Sequence, residues 1–151
     1  MVIRHFRVDN GSGAAINDPT VWDRVVADLH DVLTDKVAVH DLIKGRRKEG
    51  LVRPIQKGAE FPLKVEFDNL VSHAYTILDI RTRDRLGLLY LITSTLSQLG
   101  VDIRSAKITT EAEQVVDVFY VTNKDGSKLI DEGRRARIGT ELERVLTEGF
   151  N

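Results

Sequence analysis

The 151-residue sequence contains no cysteine. Disulfides, thiolate nucleophiles and cysteine-ligated metals are excluded with it. Long hydrophobic runs are missing too: no stretch approaches the roughly 20 apolar residues that span a bilayer. The N-terminal MVIRHFRVDN lacks the apolar core of a signal peptide. Neither sign of charge dominates. A formal net charge of −1 supplies no global attraction to nucleic acid or anionic lipid. Catalytic signatures are absent as well: there is no G-x-x-x-x-G-K-[ST], G-x-G-x-x-G or G-x-S-x-G. His5, His30, His40 and His73 are scattered, without the spacing that suits zinc. Asp79 with Asp84, and Glu111 with Glu113, have no partners for acid–base work, and Ser94 and Ser97 have no base nearby in sequence. These absences lead to the expectation of a soluble, cytoplasmic protein with no catalytic residues, metal or cofactor.

What is present centres on residues 76–110. Ile77, Leu78 and Ile80 form a β-rich run that breaks at Arg83-Asp84-Arg85. A helical period follows, with Leu89, Ile92, Leu96 and Leu99 on one face. Asp84 is the expected N-cap, Gly87 lies in the first turn and Gly100 closes the helix at C′. Two strands, 101–110 and 115–122, come next. Asp125-Gly126-Ser127 is a turn, and Ser127 or Asp131 starts a last helix that buries Ile138, Leu142, Val145 and Leu146. Gly133 and Gly139 are expected to disturb its first turns.

Upstream, residues 1–10 read as a strand and Asp18-Pro19 as a helix start. That helix carries Trp22, Val25, Leu29, Val32 and Leu33 to about Thr34, with a further helical turn or two over 37–43. Residues 44–64 hold seven basic side chains against two acidic ones, with Gly and Pro interspersed. Without aromatic interleaving or regular spacing, this is a solvated linker rather than a nucleic-acid patch. Leu63, Val65 and Phe67 alternate with charges, as in a half-buried edge strand.

The run Asp84-Arg85-Leu86-Gly87-Leu88-Leu89 resembles the D-R-P-G-L-L signature of ACT domains, which are small regulatory amino-acid-binding modules. Residues 101–108 and 116–122 resemble one subgroup in particular. It is the C-terminal ACT pair of the bifunctional uridylyltransferase/uridylyl-removing enzyme that modifies nitrogen-regulatory PII proteins. The likeness extends to 22–33 and 65–69. Leu86 stands where the family usually has Pro, so the loop loses a φ restraint and gains a backbone N–H.

The resemblance implies a ligand site at Asp84, Arg85, Leu86, Gly87 and Leu88 with Asp102 and Ile103, an amino-acid effector (glutamine), and catalytic domains elsewhere in a nucleotidyltransferase. Helix-start amides suit the effector's carboxylate. Asp84, Asp102 or strand carbonyls suit its ammonium, Asp102 only if it begins its strand at the same sheet edge as the helix start. The alternative is a dimerisation or docking module that binds nothing small.

An internal repeat supports this picture. At an offset of 113 positions Phe6 matches Phe119, Val8 Val121, Gly13 Gly126, Asp18 Asp131, Val25 Ile138, Leu29 Leu142 and Leu33 Leu146. The chain therefore reads as a half ACT-like unit (1–43), a basic linker (44–61) and a complete ACT-like domain (62–151). The fold class is α+β and ferredoxin-like. The usual βαββαβ order needs a strand after the last helix, and none follows; the 63–68 strand fills that edge instead, giving a permuted ββαββα sheet with two helices on one face. The half unit leaves a strand edge and an apolar helix face open, so a homodimer is expected.

Overall fold

The computed structural model describes residues 13–48, 62–111 and 114–149. The chain divides into two units, residues 1–51 and 52–151.

In the second unit, period-two alternation sets four strands: β1 (Lys64–Asp68), β2 (Thr76–Arg83), β3 (Val101–Glu111) and β4 (Gln114–Asn123). They form one antiparallel sheet in the order β1-β2-β4-β3. The edge strand comes from before the central strand, with Val65 opposite Ile80 and Phe67 opposite Leu78, so the permuted arrangement holds. Inward-facing Leu78, Ile80, Phe119 and Val121 are buried. Two helices, labelled α3 (Leu88–Gln98) and α4 (Glu132–Glu148) in chain order, contribute Leu88, Ile92, Leu96, Ile138, Leu142 and Leu146 to the same core. Each such side chain contributes roughly 1.5–3 kcal/mol on burial. The buried face of α3 includes Leu88, whereas Leu89 is 45% exposed. Its last turn ends at Gly100, whose φ of +70° provides the left-handed step at C′.

Thr76 and Asn69 match one another's polar groups inside this unit. Thr76 donates to Asn69 Oδ1 at 2.7 Å and accepts from the Leu129 amide at 2.9 Å, while Asn69 Nδ2 donates to the Leu129 carbonyl at 3.0 Å. Asp131 caps α4 through the Arg134 amide. The expected disturbance from Gly133 and Gly139 is not found, since α4 is a continuous helix from Glu132. A Cβ on Gly139 would meet Phe67 at 3.6 Å, an ordinary contact. Gly139→Ala is expected to raise stability by about 0.5–1 kcal/mol in urea denaturation.

The helices are tied together by two arginines. Arg85, just before α3, donates to the Leu146 carbonyl in the last turn of α4. Arg134, in the first turn of α4, donates to the carbonyls of Leu99 (3.1 Å) and Gly100 (3.3 Å) at the end of α3. Each cation sits where the partner helix leaves carbonyls unmatched and its dipole is negative.

The first unit contains α1 (Pro19–Leu33) and α2 (Val39–Lys48). Asp18 caps α1 by accepting from the Thr20 amide at 2.9 Å, with Pro19 opening the first turn. Trp22 Nε1 donates to the Ile16 carbonyl, and Arg46 pairs with Asp28 at 3.0 Å. Helix α2 runs through Lys48, so the beginning of the expected linker is helical; residues 49–61 and the expected strand at 1–10 lie outside the described residues.

One expectation from the repeat is overturned. Leu29 and Leu33 were to be buried like Leu142 and Leu146, yet they are 55% and 74% exposed where their counterparts are 0% and 4%. No residue of α1 is buried.

Candidate functional site

The signature turn joins the end of central strand β2 to the start of α3. The Leu88 amide donates to the Arg85 carbonyl at 3.1 Å, and the Leu91 amide to the Gly87 carbonyl at 3.0 Å. Gly87, with φ of +79°, occupies the N-cap position and has no side chain to cap with. The expected N-cap, Asp84, is thus displaced from the role by three residues, and its exposed carboxylate does not cap α3. The chain must reverse within a few residues after β2, and glycine makes the left-handed step with least strain. Gly87→Ala is expected to cost about 1–2 kcal/mol in thermal or urea unfolding, from strain alone. A valine there would strain the turn further, so it is no clean block of a ligand.

The five turn residues divide by environment. Leu88 is core at 4% exposure, and Arg85 is engaged with α4. Asp84 and Leu86 face outward, and Gly87 is half-buried. The first-turn amides of α3 have no partner within the helix, as at any helix start.

Asp102 and Ile103 are not brought to this turn. Helix α3 carries the chain back along the sheet, so β3 begins at the opposite end. Asp102 lies opposite Thr122, level with the residues just before β2, whereas Asp84 follows its last residue. At roughly 3.3 Å per residue the two are about 25–30 Å apart along the sheet. Asp102 instead lies 3.5 Å from Arg104. At that far end a depression of about 530 Å³ is lined by Gly100, Asn123, Lys124 and Arg134 among others, and it contains no residue of the turn.

At the turn's own end stands a group that the sequence reading passed over. Asp117 of β4 is 1% exposed, on the inward row Val115, Asp117, Phe119 and Val121. Burial pushes its carboxyl up to about 6, against the Thr109 amide and with the Asp84 carboxylate adding to the rise. The signal was available, since one acid interrupts an otherwise apolar alternation. Among the described residues no group of three or more His, Asp or Glu could hold a metal.

The family model for an ACR9-like, ACT-like domain matches residues 64–150. The chain belongs to the ACT-like domain family. This ACT-like module has relatives that are bifunctional uridylyltransferase/uridylyl-removing enzymes. That of Ruegeria pomeroyi is 38% identical over 117 residues, 78% of this chain and 13% of that protein. That of Cereibacter sphaeroides is 36% identical over 126 residues, 83% of this chain and 13% of that protein. The Rhodospirillum rubrum protein is 32% identical over 143 residues, 95% of this chain and 15% of that protein. The chain therefore spans about one-seventh of the length of these relatives. No solved structure matches it significantly. Among the described residues no helix is long and apolar enough to cross a membrane.

Proposed function

We propose that this chain is the amino-acid-sensing regulatory region of a bifunctional uridylyltransferase/uridylyl-removing enzyme, with glutamine as effector. It acts in the cytoplasm, has no catalytic residues of its own, and reports to catalytic domains outside these residues. The observation that carries this is the signature turn: Gly87 in the left-handed conformation hands the central strand directly to a helix start with exposed Asp84 beside it. Helix-start amides attract a carboxylate, and an aspartate attracts an ammonium group. The ligand set narrows to Asp84, Leu86, Gly87 and the first amides of α3, with Arg85 and Leu88 holding the turn in place.

Self-association is part of the proposal. The long strand β3 forms a sheet edge, and an open edge favours pairing with a second copy. Light scattering at high concentration is expected to give a mass above the 17.0 kDa of one chain; a mass at that value counts against it.

Titration calorimetry with glutamine is the direct test. At a hundredfold excess over Kd, a ligand that binds only the folded state adds about 2.7 kcal/mol of apparent stability. Asp84→Ala is expected to weaken binding roughly tenfold, the equivalent of about 1.4 kcal/mol. Because Asp84 is not a cap, the same change leaves the melting temperature of the free chain nearly unaltered.

A second function is favoured by a separate observation, the exposed apolar row of α1, where Trp22, Val25 and Leu29 are 39%, 47% and 55% exposed. In that case the chain docks on other domains and binds nothing small. Twenty amino acids that all leave the melting curve of the intact dimer unmoved would decide for docking.

A further inference from the structure

Among the described residues Asp117 is a buried acid without a counterion. Its one hydrogen bond among those residues is a 3.4 Å contact from the Thr109 amide, at the outer limit of such bonds. Among the described residues no Lys, Arg or His forms an ion pair with it, and the charged group that does influence it is a second carboxylate, Asp84. A buried carboxylate left in this state costs several kcal/mol, which a cation of the right size would offset.

Its position restricts what that cation is. Asp117 lies opposite Ile80 of β2 and Ile108 of β3, so all three side chains point to the same face of the sheet. Toward the later part of β3 that face is uncovered: Ile108 is 45% exposed, and Ala106, opposite Phe119, is exposed too, whereas Val101 and Ile103 at its start pack on the core. The carboxylate is therefore one strand in from an open margin, at the end of the sheet where the signature turn crosses. A ligand seated between that margin and the turn would find helix-start amides for a negative group and Asp117 for a positive one. Among the described residues too few ligating side chains gather here for a metal, whereas a primary ammonium needs only two or three acceptors.

We propose that the Asp117 carboxylate anchors the ammonium group of the effector, in the place that Asp102 is too distant to fill. This rests on the turn being an amino-acid site, and the experiment separates the two.

Glutamine and 4-carbamoylbutanoate, which is glutamine without its ammonium group, are titrated calorimetrically against the full chain and against Asp117→Asn. The expected result is that wild type prefers glutamine at least tenfold. In Asp117→Asn the glutamine affinity falls at least tenfold toward that of the deaminated analogue, with Asp84 keeping the remainder, while the affinity of the analogue itself is unchanged. A merely structural role for Asp117 would shift both ligands together or neither, and either result overturns the proposal. If wild type binds glutamine tightly and the variant binds it equally well, the anchor is wrong and the sensor site stands. If wild type binds no amino acid, the site itself is refuted and the anchor with it. Asp117→Ser, smaller and uncharged, gives the same comparison should the amide not be accommodated.

Discussion

Leu142→Ala lowers the stability of this chain by about 3–4 kcal/mol, and Leu29→Ala, at the matching position of the first repeat, changes it by no more than about 0.5 kcal/mol. The two leucines occupy equivalent places in related sequence and opposite environments. Leu142 is fully buried between α4 and the sheet, and truncation there loses both transfer energy and packing, with a cavity left behind. Leu29 is 55% exposed on a helix with no buried residue, where surface substitutions have small effects. Urea denaturation followed by circular dichroism measures the first. Fluorescence of Trp22, the single tryptophan, follows the unit that contains α1. Should Leu29→Ala prove as costly as Leu142→Ala, the face of α1 is covered in solution, and the loss should then depend on protein concentration.

Asp117→Asn should stabilise the free chain at pH 7.5, by about 1–3 kcal/mol. The folded carboxyl titrates at about 6 against an ordinary value of 3.8, so between those values the folded state binds more protons than the unfolded one. Protonation of Asp117 therefore favours folding; its contribution is complete below about pH 4 and is lost as pH rises through 6. Between pH 7.5 and 5.0 wild type should gain about 1.4 kcal/mol that the variant does not. Asp18, Asp68 and Asp125 are held low by hydrogen bonds and act in the opposite direction under more acidic conditions. The informative quantity is therefore the difference between wild type and variant. A difference that does not change between the two pH values would mean that Asp117 is not buried as a charged group.

Much of the complete module was legible because its signals are local. The alternation of Leu63, Val65 and Phe67 against Lys64 and Glu66 located β1, and the short connection into β2 located its antiparallel partner. The start of α3 was harder. Asp84 and Gly87 are both acceptable before a helix, and Leu88-Leu89 fit an apolar face in either phase. Only the reversal after β2, with its positive φ at Gly87, chooses between them. Asp102 was misplaced for a topological reason: a helix packed antiparallel to its strand returns the chain to the far end. The exposure of α1 was not legible from its own sequence, which carries the same apolar row as α4.

The permuted sheet also bears on how quickly the module folds. In the unpermuted order the edge strand would follow α4 and find the central strand across about 70 residues of chain; here Val65 meets Ile80 across a separation of 15. Loop-closure entropy grows with the logarithm of length, so the rearrangement reduces the cost of that pairing by roughly 1.4 kcal/mol. The edge becomes a hairpin that can form early and locally. The slow event left is the meeting of β2 with β4, where Thr76 pairs with Val121 and Arg83 with Gln114. Moving the edge strand to the front thus lowers the contact order of the module, and with it the barrier to folding.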